Sequence, residues 1–292
     1  MTAAAGAAVF VTNTPDKDAF VRSLAPASNY GGAGALSISG TNATVNNPTN
    51  GAFDSFISFN TAAVVTRFNA AFGTGNWVVT SATLNITRNL NPGNPVFNYG
   101  TGSFAIRWIA NDTWIEGTGT PMVPTTNGIT YGEEPAYLNP GTDVSLGIFS
   151  FTGGTNMSFP LGLPASFVAS IQAGAEVGLF MTAIDTNVGF VFYSRQFAGN
   201  PSVLPSLVVS ATAQPGISAI SLSGTNLALS ATNGVAGGTY YVLTSTNLAA
   251  PLNQWTSIDT NVLGSGGNFT ITVTNAANPN APSPQFFILQ TY

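Results

Sequence analysis

The chain of 292 residues contains no cysteine and no histidine. Without cysteine it has no disulfide, no thiolate zinc site and no cysteine nucleophile. Without histidine it lacks the commonest transition-metal ligand and the commonest general base near neutral pH. Ser-His-Asp and Cys-His nucleophile systems are therefore excluded, and any hydrolase built on this chain would depend on carboxylates.

Charged residues are also scarce, at 6% of the chain against roughly a quarter in an ordinary soluble domain. Six Lys and Arg stand against eleven Asp and Glu, which gives a formal net charge of −5. Nucleic acids and anionic membranes bind basic patches, so this composition argues against both as partners. The polar surface must come from Asn, Thr, Ser and Gly, and such a surface favours close contact because few charges need desolvating.

The sequence has no apolar run of about 18 residues, so it predicts no membrane span. Its first residues, Met1-Thr-Ala-Ala-Ala-Gly-Ala-Ala, lack the basic and long apolar regions of a secretory signal. Ala3-Ala-Ala5 resembles the small-residue end of a cleaved signal. We therefore expect an extracellular or cell-surface protein whose signal peptide is absent from this chain.

Short apolar segments that alternate with polar residues fill most of the chain, and Gly, Pro, Asn and Thr separate them. Two segments instead have helical spacing, 62–72 and 164–173, and each is followed by glycine. Many short strands with such punctuation indicate antiparallel sheets rather than βαβ units. The pattern predicts an all-β jelly-roll or β-sandwich domain over residues 1–212 with two short helices. The predicted strands are 8–13, 19–24, 35–39, 54–60, 78–87, 104–110, 146–151, 157–161, 176–183, 189–193 and 206–211.

A second, smaller domain is predicted after a linker at 213–216. Residues 217–292 contain six strand-like runs, which fit a small immunoglobulin-like or fibronectin-like β-sandwich. The runs are 217–222, 226–231, 239–246, 254–259, 268–274 and 285–290. The cysteine pair of antibody-type domains is absent.

The most specific stretch of the sequence is 104–118, a core strand that leads into a Trp-x-Glu-Gly loop. Asp112 and Glu116 flank Trp114 there. One interpretation is a carboxylate pair beside an aromatic sugar platform, as glycosidases need. The other is that the carboxylates accept backbone N–H bonds while Trp114 closes the end of the sandwich. Trp77 and Trp114 are the candidates for stacking on a neutral glycan.

Acidic residues in turns suggest an oxygen-only cation site. Asp16 and Asp18 are the candidate ligands for one structural calcium ion, since Ca²⁺ prefers oxygen ligands. No EF-hand spacing is present, and solvated turn aspartates are the alternative. The sequence indicates no other cofactor.

Several motifs, named at the end of this paragraph, resemble the DNRLRE-type jelly-roll modules of bacterial exported proteins, and their order along residues 8–212 agrees with that family. The resemblance implies a jelly-roll fold related to polysaccharide-binding modules, and it carries no catalytic residues. Residues 241–248 with Trp255-Thr256 are similar to small β-domains at the ends of bacterial surface proteins. The motifs of the first resemblance are Asp18-Ala-Phe-Val21, Asn29-Tyr-Gly-Gly32, Leu36-Ser-Ile38, Phe56-Ile-Ser-Phe59, Ser81-Ala-Thr-Leu84, Asn111-Asp-Thr-Trp-Ile-Glu-Gly117, Gly128-Ile-Thr-Tyr131, Leu146-Gly147, Ser194-Arg195 and Pro205-Ser-Leu-Val-Val209.

These observations favour a non-catalytic extracellular structural protein, a self-assembling subunit of a surface fibre, sheath or matrix. Two apolar end segments are candidates for pairing with the sheet of a neighbouring copy. The alternative function is a carbohydrate-binding module for neutral glycans. The residues of the candidate assembly segments are Ala7, Val9, Phe10 and Val11 near the start, and Phe286, Phe287, Ile288 and Leu289 near the end.

Overall fold

The computed structural model describes residues 8–43, 51–90, 100–235, 237–265, 267–277 and 284–291. The described part is almost entirely β, which confirms the predicted fold class. Its elements are β1 Val9–Asn13, β2 Lys17–Arg22, β3 Ala35–Ser39, β4 Phe53–Asn60, α1 Ala62–Phe72, β5 Trp77–Thr87, β6 Gly102–Ile109, α2 Glu134–Tyr137, β7 Val144–Phe151, β8 Asn156–Leu161, α3 Ala165–Gln172, β9 Glu176–Ala183, β10 Gly189–Tyr193, β11 Ser206–Ala213, β12 Gly216–Ser223, β13 Asn226–Gly234, β14 Thr239–Ser245, β15 Thr256–Val262, β16 Gly267–Val273 and β17 Phe286–Thr291.

The two predicted helices, α1 and α3, form where the apolar spacing is helical. In α3, Phe167 and Ile171 lie four residues apart and are both buried. Gly73 and Gly174 follow the two helices with φ of +89° and +68°, a backbone conformation that glycine adopts without strain. The single turn α2 lies between β6 and β7, where the sequence predicts no helix.

The strands of the described residues form four sheets. The largest has seven strands in the order β10-β3-β4-β9-β6-β7, with β2 also paired to β4, and a second has the order β1-β11-β5-β8. Aromatic rings join these two sheets, since Phe159 of β8 lies 5.2 Å from Phe104 of β6 and 5.3 Å from Phe149 of β7, between ring centroids. The two sheets therefore share a sandwich core.

A layer without strands covers part of the large sheet. Residues from the segment between β6 and β7, including Trp114 and Ile129, pack on Val21, Phe56 and Phe180 of the sheet. Seven of the eight residues of β4 are buried as a result. The large sheet is thus covered on both faces at this point, and the covering segment is held there by polar contacts described below.

The contacts divide the chain into two compact units. One consists of Phe10–Arg67 and Val79–Ser210, and the other contains Ala211–Tyr292 with Phe68–Val78 and the described residues before Phe10. Strand β11 ends at Ala213 and β12 begins at Gly216, so the two strands include both ends of the predicted linker 213–216 and leave two residues between them. The domain boundary itself stays a prediction.

The C-terminal strands form two three-stranded antiparallel sheets, with the orders β12-β13-β16 and β15-β14-β17. Leu227, Leu229 and Ile271 from the first sheet and Tyr240 and Val242 from the second form one buried cluster. This is a small β-sandwich, and its closer likeness to immunoglobulin or fibronectin domains stays a prediction. Among the described residues the longest helix, α1, has 11 residues, and no helix is a candidate membrane span.

Candidate functional site

Both tryptophans predicted to stack on sugars are buried, which corrects that prediction. Trp114 is 1% exposed and Trp77 is 4% exposed. Trp114 packs against Phe56 with 5.7 Å between ring centroids, and Lys17 Nζ lies 4.8 Å from the centre of its ring. Trp77 packs on Phe68 and donates from Nε1 to Asn69 Oδ1. Neither ring face is open to a ligand, because each fills a core position.

An ion pair anchors the loop that carries Trp114. Arg195, which follows β10, donates from Nε to Glu116 Oε1 at 2.7 Å and from Nη2 to Glu116 Oε2. Glu116 also accepts the backbone N–H of Asp18 at 2.9 Å and the side-chain amide of Gln196 at 3.1 Å. The expectation that Glu116 accepts a backbone N–H agrees with this geometry. A carboxylate occupied by four donors is a structural anchor rather than a free acid or base.

Asp18 lies directly beneath this ion pair and is fully buried. Its Oδ2 accepts the backbone N–H of Arg195 at 2.7 Å, while Oδ1 has no hydrogen-bond donor among the described residues. Burial, with a smaller contribution from the neighbouring Glu116 charge, raises the pKa of Asp18 to about 7. The Asp18 carboxyl therefore changes its charge near neutral pH.

The Asn29 side chain also holds the loop that carries Trp114 by hydrogen bonds. Its Nδ2 donates to the carbonyls of Glu116 at 2.7 Å and Ile129 at 2.9 Å, and its Oδ1 accepts from Gly119 N–H at 3.1 Å. The loop comes so close that a Cβ on Gly31 would lie 1.9 Å from the Glu116 carbonyl oxygen. Only glycine fits there, which gives a physical reason for the Asn-Tyr-Gly-Gly sequence.

The other carboxylate of the predicted pair, Asp112, has different neighbours. Lys17 Nζ donates to the Asp112 carbonyl oxygen and forms an ion pair with Glu176 at 2.6 Å. The pKa of Asp112 is raised, first by burial and then by the Glu176 charge. Asp112 thus faces Lys17 and Glu176, whereas Glu116 is held by Arg195.

A second acidic cluster, buried at Asp54 and half-buried at Glu134 and Tyr131, lies elsewhere in the same unit. Burial raises the pKa of Asp54 to about 6. Burial, followed by the Asp54 charge, raises the pKa of Glu134 to about 8. Burial, and then the charges of Asp54 and Glu134, also raises the pKa of Tyr131. One oxygen of each carboxyl group has no hydrogen-bond donor among the described residues.

These raised pKa values predict that the protein is more stable in mild acid than at neutral pH. A carboxyl with a raised pKa keeps its proton in the folded state over a range where the unfolded chain has released it. The free energy of unfolding therefore falls as the pH rises from about 4 to about 8, and the Asp18 share of the loss is complete near pH 7. We expect Asp18 to account for about 1–3 kcal/mol of it.

Urea unfolding at several pH values checks this expectation, with Asp18→Asn as the matched variant. Asparagine keeps one oxygen for the Arg195 N–H and cannot ionise, so its curve should lose the Asp18 part of the slope. A slope between pH 4 and 7 that is unchanged in Asp18→Asn would contradict the assignment.

The predicted calcium ligands do not form a recognisable metal site in the described part of the chain. Asp16 is exposed, whereas Asp18 is buried under Arg195. No group of three or more Asp or Glu side chains among the described residues is placed to hold a metal ion. The role of Asp16 and Asp18 as ligands stays a prediction.

The two predicted assembly segments both lie in strands at the ends of sheets. Val9, Phe10 and Val11 belong to β1, and Phe286–Leu289 belong to β17, while Ala7 lies outside the described residues. Each strand completes a sheet of its own chain: β1 is ordered beside β11, and β17 pairs with β14. Neither is a detached arm, and each leaves its other edge without a partner strand in the described structure.

An apolar groove of about 480 Å³ lies in the C-terminal unit between β12 and β17. On β12, Ile220 and Leu222 alternate with serines, share one face and are 56% and 59% exposed. They are uncovered because no strand of the described residues follows β17 in its sheet. The groove is lined by Ile220, Leu222, Leu227, Leu248, Trp255, Gln285, Phe286, Phe287 and Ile288.

Sequence reasoning placed Asn29 and Arg195 in motifs without giving them a role, and it did not identify the Asp54 cluster or the groove wall on β12. Arg195 is one of six basic residues, and a buried acid in so uncharged a chain needs one of them as a partner. That scarcity was a usable signal for Arg195. The Ile-Ser-Leu-Ser alternation of β12 likewise predicts one apolar face, but only the sheet order shows that this face is uncovered.

Two solved structures are distantly similar to the chain. The β-D-glucuronidase of Dictyoglomus thermophilum has 10% identity and a TM-score of 0.21, over 97% of this chain and 40% of the other. The Macrobrachium rosenbergii nodavirus structure has 10% identity and a TM-score of 0.22, over 98% and 89%. The chain spans less than half the length of the glucuronidase, and neither score supports a functional argument. No protein-family model and no curated protein matches the chain.

Proposed function

We propose that the protein is a non-catalytic extracellular structural subunit, which assembles with copies of itself into a fibre, sheath or matrix through sheet edges. One observation carries the proposal. Each of the four sheet orders in the described structure has a strand at either end, which makes eight end strands. Of these eight strands, only β15 contains a charged residue, Asp259. Soluble β-proteins usually protect their edges with charges, prolines or bulges, because an open edge pairs with other chains.

Some of these end strands have the other protections, because β8 contains Pro160 and the pairings of β7, β12 and β15 have register shifts. Strands β10 and β17 pair in regular register and contain neither a charge nor a proline, so their edges are suited to contact. Pairing two uncharged edges gains main-chain hydrogen bonds without desolvating an ion. The same applies to the surface in general, because only 6% of the residues are charged. A contact between two different edges of identical subunits repeats indefinitely and produces a filament.

The alternative, binding of neutral glycans, is less well supported. Its two predicted stacking residues, Trp77 and Trp114, fill core positions. The carboxylate arrangement likewise favours a structural role for Glu116, whose oxygens are taken up by Arg195, Gln196 and the Asp18 backbone.

Sedimentation velocity together with negative-stain electron microscopy of the full chain tests the proposal. We expect regular polymers much larger than the 29.9 kDa chain, in a proportion that grows with protein concentration. A 29.9 kDa monomer at every concentration examined would refute self-assembly, and a screen against neutral polysaccharides would follow.

Polymer formation should also depend little on salt. Raising the ionic strength from about 0.01 M to 1 M shortens the Debye length from about 30 Å to about 3 Å and weakens charge-based contacts. Since the edges carry almost no charge, the polymer yield should stay constant or increase over this range. Polymers that dissolve as salt is added would show that ion pairs, not neutral edges, hold the subunits together.

A further inference from the structure

The groove in the C-terminal unit has room for one additional β-strand. It is bounded by β17, whose outer edge has no partner strand in the described structure, and by the uncovered apolar face of β12. A strand added beside β17 would bond to this edge and turn every second side chain towards Ile220 and Leu222. The occupant that fits the groove is therefore an extended strand with an apolar side chain on the face that points into the groove.

Strand β1 meets these requirements. It ends the sheet β1-β11-β5-β8, so its outer edge has no partner strand among the described residues. Its residues alternate, with Val9 and Val11 half-buried and Phe10 and Thr12 exposed. Phe10 is 65% exposed, so most of its ring surface is available for contact with another copy.

The charges of the two surfaces are matched. No Asp, Glu, Lys or Arg lines the groove, and the first charged residue of the chain is Asp16, after the end of β1. Docking these surfaces would bury apolar area without removing water from any ion. An uncharged strand is therefore favoured over a charged peptide as the occupant.

We propose that β1 of one copy docks along β17 of the next, with Phe10 inserted into the groove against Ile220 and Leu222. This inference rests on the proposed self-assembly and names the contact that produces it. The two surfaces differ, so the contact is heterologous: each subunit offers a strand at one site and a groove at the other. Repetition of such a contact forms an open filament rather than a closed dimer.

Two substitutions test the two sides of the contact separately, one on the strand and one on the groove. Phe10→Asp removes the inserted ring, and Ile220→Lys places a charge on the groove wall. Both residues are more than half exposed, so the fold should tolerate the changes, which circular dichroism can verify. Each variant should raise the protein concentration needed for polymers by at least about tenfold. Ile148→Asp is the matched control, because Ile148 is 66% exposed on another edge strand, and it should polymerise as the unmodified chain does.

Mixing the two variants provides the decisive readout. Phe10→Asp keeps an intact groove and Ile220→Lys keeps an intact strand, so an equimolar mixture should form heterodimers and stop there. Polymers from Phe10→Asp at the unmodified concentration, as expected for pairing of β17 with β17, would overturn the inference while leaving self-assembly standing. The absence of heterodimers in the mixture would also overturn it. An unmodified chain that forms no polymer would refute the proposed function and this contact together.

Discussion

Replacing Trp114 with alanine is expected to lower the free energy of unfolding of its unit by about 3–5 kcal/mol. The side chain is 1% exposed and packs against Phe56, Ile109 and Phe180, so its removal leaves a cavity under the covering segment. Urea unfolding followed by circular dichroism measures the change. Because the chain forms two compact units, a separate transition for each should be allowed for in the fit.

Trp114→Phe is the control for this prediction. The indole N–H of Trp114 has no acceptor among the described residues, so replacement by phenylalanine reduces the buried side-chain volume without removing a hydrogen bond. Its cost should be clearly smaller, about 1–2 kcal/mol. If Trp114→Ala were as stable as the unmodified chain but lost affinity for a neutral glycan, the sugar-platform interpretation would replace the structural one.

Glu116→Ala is expected to destabilise the same unit by about 2–4 kcal/mol. The change leaves the Arg195 guanidinium, the Asp18 backbone N–H and the Gln196 amide without their acceptor. The Arg195 side chain is 32% exposed and can regain some hydration, which keeps the expected loss below that of a fully buried ion pair. Thermal or urea unfolding at low salt gives the comparison.

Two further variants define the source of that loss. Glu116→Gln retains an oxygen for the Asp18 N–H and loses the charge, so it should fall between the unmodified chain and Glu116→Ala. Glu133→Ala removes an exposed glutamate of the same covering segment, which accepts two bonds from Thr130, and should cost about 0.5–1.5 kcal/mol. Equal losses in Glu133→Ala and Glu116→Ala would show that the network around Arg195 has no special role.

The polar network around Glu116 and Arg195 depends on charged and buried polar groups, whereas the proposed contact between copies depends on uncharged surfaces. The buried side chains of Asn29 and Asp18 fix one arrangement of the covering segment, and the pKa of Asp18 is raised as a consequence of its burial. The proposed docking surfaces use no charge, and their contact should be independent of that titration. Stability and assembly are therefore expected to respond to pH separately, which makes the two sets of variants independent tests.

Local pattern was enough to determine most of the elements. Alternation over 35–39 and short apolar runs over 176–183 and 189–193 predict the strands β3, β9 and β10 with the same bounds, and helical spacing over 62–72 predicts α1. Composition by itself excluded cysteine and histidine chemistry. These features depend on neighbours a few residues apart, and a sequence displays such neighbours directly.

The site depended on contacts that local pattern does not contain. Glu116 meets Asp18 from 98 residues away and Arg195 from 79 residues away. Only the return of the covering segment over the large sheet buries Trp114, which the sequence allows equally on a surface loop. The same holds for the groove, because the alternation of β12 gives an apolar face and only the order of strands decides whether another strand covers it. Periodicity fixes which side chains share a face, whereas long-range packing decides what that face meets.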